Sequence, residues 1–149
     1  MNDAAELILR TLPMVWLGMV VAISVIETPL KFRAPGMTLE LGLGIGRLVF
    51  HALNRVELVL AALITPATIV ALAGDAASAP VAIGAATTLV ALLVQVLVLR
   101  PTLDRRLDAR LRGDAVAASR HHLAYIALEL LKLLALGLLG IAVALDAVG

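Results

Sequence analysis

Apolar residues fall into four long blocks, each separated from the next by a short polar or glycine- and proline-bearing joint. The blocks run from about Thr11 to Pro29, Leu48 to Ala73, Pro80 to Arg100 and His121 to Leu145. Each is close to the roughly 20 residues that carry a helix across a hydrocarbon layer about 30 Å thick. The pattern predicts an all-α protein, an integral membrane antiparallel four-helix bundle, with residues 1–149 forming one transmembrane domain. The apolar start lacks a Lys-led signal with a small-residue cleavage site after it, so it reads as a retained first span.

The joints carry their own signals. Ala34-Pro35-Gly36 breaks the chain, Thr38 is placed to cap a new helix, and Glu40 falls in its first turn. Between Leu39 and Arg47 apolar residues alternate with Glu40, Gly42, Gly44 and Gly46, which weakens a helix there. The segment reads either as a re-entrant approach to the second span or as a glycine-faced helix packed closely on a neighbour. Pro66 should kink the second span unless Thr65 or Thr68 re-satisfies the carbonyl it frees. Pro80 suits the first turn of the third span. Residues 101–113 are charged but keep Leu103, Leu107 and Leu111 at four-residue spacing, as in a solvated extension of that span or an amphipathic surface helix. Gly113 ends this segment, and Asp114 is a plausible cap for the next helix.

Composition agrees with the pattern. Of the residues, 62% are hydrophobic and 15% charged, and the mean hydropathy is +1.04, more apolar surface than a soluble domain of this length can hide. There is no cysteine, which excludes disulfides and thiolate metal sites. Basic residues border the spans instead of forming a soluble face, so nucleic acid is not a partner; the lipid bilayer is. Lys31, Arg33 and Arg47 lie between spans one and two, and Arg100, Arg105, Arg106, Arg110, Arg112 and Arg120 between spans three and four. The positive-inside rule makes both segments cytoplasmic and both termini external. The Ala- and Leu-rich, Arg-over-Lys composition suits a bacterial inner membrane.

Against this background the ionisable residues inside the spans are the candidate site, because charge in a bilayer costs on the order of 3 kcal/mol per residue on insertion scales. The run His51-Ala-Leu-Asn54-Arg55-Val-Glu57 enters span two. Counted from Arg47 at about 1.5 Å per residue, Glu57 lies roughly 15 Å deep; from Arg120, Glu129 and Lys132 lie roughly 13 and 18 Å deep. Counted back from Lys31 and Arg100, Glu27 and Gln95 reach only about 6 to 8 Å. Two tiers result: Glu27, His51, Gln95 and His122 below, and Asn54, Glu57, Glu129 and Lys132 above. On span four His122, Tyr125, Glu129 and Lys132 form one stripe, while Arg55 points away from Glu57 and snorkels. These residues outline a cytoplasm-facing polar pocket centred on Glu57, for which a Glu57–Lys132 salt bridge that only ties helices together is the plain alternative.

Proton or cation relay needs only acids and histidines in a wet site and so fits with fewest assumptions. His51, Glu57, His122 and Glu129 are potential metal ligands, although the paired Glu-x-x-His spacing of di-metal bundles is absent. A haem between His51 and His122 is chemically conceivable. No nucleophile motif accompanies the serines and threonines, and nothing identifies a cofactor or an enzyme.

Trp16-Leu-Gly18, Pro29-Leu-Lys-Phe32, Gly46-Arg-Leu-Val-Phe50 with Asn54 following, and His122 early in the last span resemble the bacterial domain of unknown function 4149 family. That family is related to eukaryotic proteins resembling transmembrane protein 205. The resemblance implies a four-helix membrane domain over most of the chain and no established biochemistry. Tyr125 and Glu129 stand where the family tends to have Ser and Asn. The expected function is a small transporter or conduit for a proton, cation or small polar solute, working as a homo-oligomer or beside a partner membrane subunit. The alternatives are a metal- or haem-dependent redox protein and a structural subunit of a larger membrane complex.

Overall fold

A computed structural model of the chain describes residues 3–114 and 120–148. Among these residues there are four long helices and no strand: α1 (Asp3–Lys31), α2 (Leu39–Ala73), α3 (Ala79–Leu111) and α4 (Arg120–Asp146). All four are long and apolar enough to cross a membrane. At about 1.5 Å per residue, the 35 residues of α2 and the 33 of α3 each reach about 50 Å. The expected cap by Asp114 concerns residues 115–119, which lie outside the described residues.

Helix contacts form a ring. α1 packs against α2 and α4, and α3 packs against α2 and α4, so α2 and α4 face each other across the diagonal. The core that fills the ring includes Trp16, Val20, Leu53, Ile64, Val81, Leu92, Leu136 and Leu139. Two polar contacts show how neighbours run. Arg47, early in α2, meets Asp108, late in α3, at 2.5 Å, and Asp146 at the end of α4 accepts from the Ser78 backbone N–H at the start of α3 at 2.8 Å.

The glycine-rich segment before span two is the first turns of α2. Thr38 caps it, its hydroxyl accepting from the Leu41 N–H at 3.2 Å, as the Thr38–Glu40 signal predicts. A Cβ at Gly42 would overlap the Phe32 ring, so the missing side chain lets the end of α1 fold back onto α2. The packed-helix reading therefore holds over the re-entrant one. Gly84 does the same between α3 and α4, where a Cβ would come within 3.0 Å of the Leu139 Cβ and 3.3 Å of the Ala135 carbonyl oxygen.

Pro66 lies inside a continuous α2. Thr68 donates to the Ile64 carbonyl at 2.9 Å, not to the Ala62 carbonyl that Pro66 leaves without its N–H partner. The charged residues after Pro101 continue α3 without a break to Leu111, the solvated-extension alternative.

Two segments depart from α geometry. Val21–Glu27 in α1 and Gln95–Leu99 in α3 are π-helical, with the wider i→i+5 register. Each wide turn carries one side chain into the centre of the ring, Ser24 from the first and Gln95 from the second.

Candidate functional site

The centre of the ring is polar. Lys132 of α4 is fully buried and its ammonium contacts two carboxylates, Glu57 Oε1 across the diagonal and Glu129 Oε2 one turn away on its own helix, the latter at 2.9 Å. A third donor bond goes to Gln95 Oε1, also at 2.9 Å. Three acceptors match the three N–H bonds of an ammonium, which is what an interior lysine requires to stay charged.

The two acids are held differently. Glu129 is satisfied at both oxygens: Ser24 donates to Oε1 at 2.7 Å and the Gln95 amide donates to Oε2 at 2.6 Å. Gln95 thus donates to the acid and accepts from the lysine, which fixes the orientation of its amide. Glu57 is completely buried, yet only its Oε1 is engaged, by Lys132 and by the Trp16 indole N–H at 2.9 Å. Its Oε2 has no protein partner.

Below this triad is a second cationic group. Arg100 is buried with its guanidinium over the rings of Phe50 and Tyr125, 5.3 and 5.2 Å from their centroids. It donates to the Tyr125 hydroxyl at 3.3 Å, and that hydroxyl is 3.5 Å from Asn54 Oδ1. Phe50 meets Tyr125 edge-on at 5.8 Å, so the guanidinium is held mainly by aromatic faces. With Glu57, Glu129, Lys132 and Arg100 all ionised, the buried set carries two negative and two positive charges.

A third group closes the end of the ring. His51 Nε2 is 2.9 Å from Asp104 Oδ2, and Arg47 bridges Asp104 at 3.5 Å and Asp108 at 2.5 Å. Glu27 pairs with Lys31 at 3.3 Å within α1, and the Lys31 ammonium lies 5.8 Å from the centroid of the Phe50 ring.

Of the residues singled out in sequence, Glu57, Gln95, Glu129 and Lys132 come together, and Asn54 and Tyr125 adjoin them toward Arg100. His51 belongs to the acidic cluster at the end of α3, Glu27 to its own helix, and His122 and Arg55 are exposed. Gln95 is the correction: it belongs to the inner tier, not the outer. Arg100 ends an apolar block as an interface residue does, yet it is itself buried, which sets Gln95 deeper than its spacing from Arg100 implies. The candidate metal ligands are dispersed as well. Among the described residues no three His, Asp or Glu side chains come close enough to share an ion. Glu57 and Glu129 instead share an ammonium, while His51 and His122 lie apart from them.

Trp16, Ser24, Arg100 and Asp104 join the site without being singled out by the sequence pattern. A tryptophan in mid-span, where its N–H needs a partner, was the available signal for Trp16. Above the triad, a void of about 10 Å³ is lined by residues that include Trp16, Thr65 and Thr88, room for about one water. Comparison of the chain with family models, with curated proteins and with solved structures finds no match.

Proposed function

We propose that the chain is a multi-pass membrane protein, an antiparallel four-helix bundle in a bacterial inner membrane, that conducts protons through the Glu57–Lys132–Glu129 triad. The observation that carries this reading is the asymmetry of the two acids. Glu129 has every oxygen engaged and serves as the fixed counter-charge, whereas Glu57 keeps a free oxygen beside a paired ammonium and can take up and release a proton without breaking its other bonds. The basic segments at the Arg47 and Arg100–Arg112 end face the cytoplasm in this proposal, and protons reach Glu57 from the Arg100–Tyr125–Asn54 side. Homo-oligomer formation, or pairing with another membrane subunit, belongs to the same proposal, because one ring of four helices encloses little space. So does kinship with the domain of unknown function 4149 family, whose matching residues include the buried Trp16 and Asn54.

The test is proton flux into proteoliposomes carrying an internal pH dye. Glu57→Gln abolishes flux while the protein keeps its elution volume and helical content; unchanged flux overturns the role of this acid. A structural reading, in which the triad only ties α2 to α4, is favoured by the small size of the void beside it. It predicts that wild-type protein conducts no protons at all.

A further inference from the structure

Among the described residues, four buried side-chain atoms lack a protein partner: Asn54 Nδ2, Glu57 Oε2, Thr88 Oγ1 and Arg100 Nε. Two of them belong together. Asn54 and Glu57 are three residues apart on α2, hence neighbours on one helix face, and both are at least nine-tenths buried, at 4% and 0% exposure. Each is tethered by its other atom. Asn54 Oδ1 faces the Tyr125 hydroxyl, and Glu57 Oε1 holds Trp16 and Lys132. What the tethers leave over is the amide NH2 of Asn54 and one carboxylate acceptor of Glu57 a single turn apart. Leaving either unmade costs about 1 to 3 kcal/mol.

We infer that a single water molecule is bound between the Asn54 amide N–H and Glu57 Oε2, as the immediate proton donor and acceptor of Glu57. The chemistry selects water over other small ligands. A cation is repelled by the amide hydrogens and by Lys132 beside the carboxylate, and an anion is repelled by the carboxylate itself. A neutral molecule that accepts one hydrogen bond and donates another fits both groups. The proton step balances as a relay that keeps the water neutral: it passes one of its own protons to Oε2 as it accepts one arriving from the Tyr125 side, the carboxyl becoming neutral, and the reverse step restores the carboxylate. Asn54 is then a positioning residue. This step rests on the proton-conduit reading, whereas the presence of the water does not.

Asn2 and Asn54 are the only asparagines in the chain, so 15N-asparagine labelling of the full protein in lipid nanodiscs leaves two side-chain amides to resolve. The expected result is a dipolar cross-peak between the Asn54 amide and water, lost in Glu57→Leu. No water cross-peak in the wild type, or a cross-peak that persists in Glu57→Leu, overturns the site. Should that variant fail to fold, 13C-glutamate labelling of the wild type asks the same question from the other side, because the same water must contact the Glu57 carboxyl carbon. In proteoliposomes Asn54→Leu lowers proton flux about tenfold, the factor expected for one lost hydrogen bond, while Asn54→Ser, which leaves room for the water, retains it. Unchanged flux in Asn54→Leu overturns the proton-delivery role. A bound water in a wild-type protein that conducts nothing overturns the conduit and leaves the site standing; flux lost in Glu57→Gln without a water cross-peak does the reverse.

Discussion

Lys132 has no exposed surface and spends all three of its N–H bonds on Glu57, Glu129 and Gln95. Replacing it with Met leaves two buried carboxylates facing each other, and the loss of one partner of a buried pair costs about 3 to 5 kcal/mol. We expect Lys132→Met to unfold at much lower temperature in nanodiscs. Adding Glu57→Gln to it recovers a large part of the loss, because the second change removes the charge that the first left uncompensated. A double variant whose loss equals the sum of the two singles would show that the residues act independently. At this scale the sequence was informative about Glu57, Glu129 and Lys132, since charge in an apolar span is conspicuous. Ser24 gave no such signal: a lone serine in a span is ordinary, and only the π-helical turn around it sets its hydroxyl on Glu129.

Helices come together where glycine permits it. At Gly84 an added methyl meets the Leu139 side chain and the Ala135 carbonyl, a backbone group that cannot swing aside. Gly84→Ala is expected to cost about 1 to 3 kcal/mol by forcing α3 and α4 apart, and Gly84→Leu more. Gly42→Ala is different, because its obstacle is the Phe32 ring, a side chain. Combining it with Phe32→Ala relieves the clash, and thermal unfolding of the single and double variants measures the rescue. The starts of α2 and α3 were readable in sequence, through Thr38, Pro80 and the turn residues before them. Depth was not, because a basic residue ending an apolar block reads as an interface marker. Arg100 ends such a block yet stacks inside the ring on Phe50 and Tyr125, so Gln95 lies deeper than its spacing suggests. The π turns escaped notice for a related reason: an unchanged apolar composition hides a change of register.

For the whole molecule, the proposed orientation has a direct check. The chain has no cysteine, so single cysteines at Ala79 and Arg110, both exposed, can be labelled one at a time in intact cells. A membrane-impermeant maleimide is expected to reach Ala79→Cys from outside and Arg110→Cys only after the cells are opened. The opposite pattern reverses the topology while leaving the site intact. Four blocks of hydropathy were enough to indicate the number of helices; which helices adjoin and which lie diagonal came from side-chain packing that no single-chain pattern encodes.

The diagonal contact between Glu57 and Lys132 also has a consequence for biogenesis. The hairpin α1–α2 contributes one deeply buried acid, and the hairpin α3–α4 contributes one acid and two cations, so neither half is electrically balanced within its own core. On the proposed membrane insertion, a nascent chain that has laid down only its first hairpin holds an uncompensated carboxylate in hydrocarbon. That penalty ends when Lys132 arrives with α4. On the same proposal a product truncated before α4 keeps that acid unpaired, so the pairing of Glu57 with Lys132 ties the first hairpin to the presence of α4.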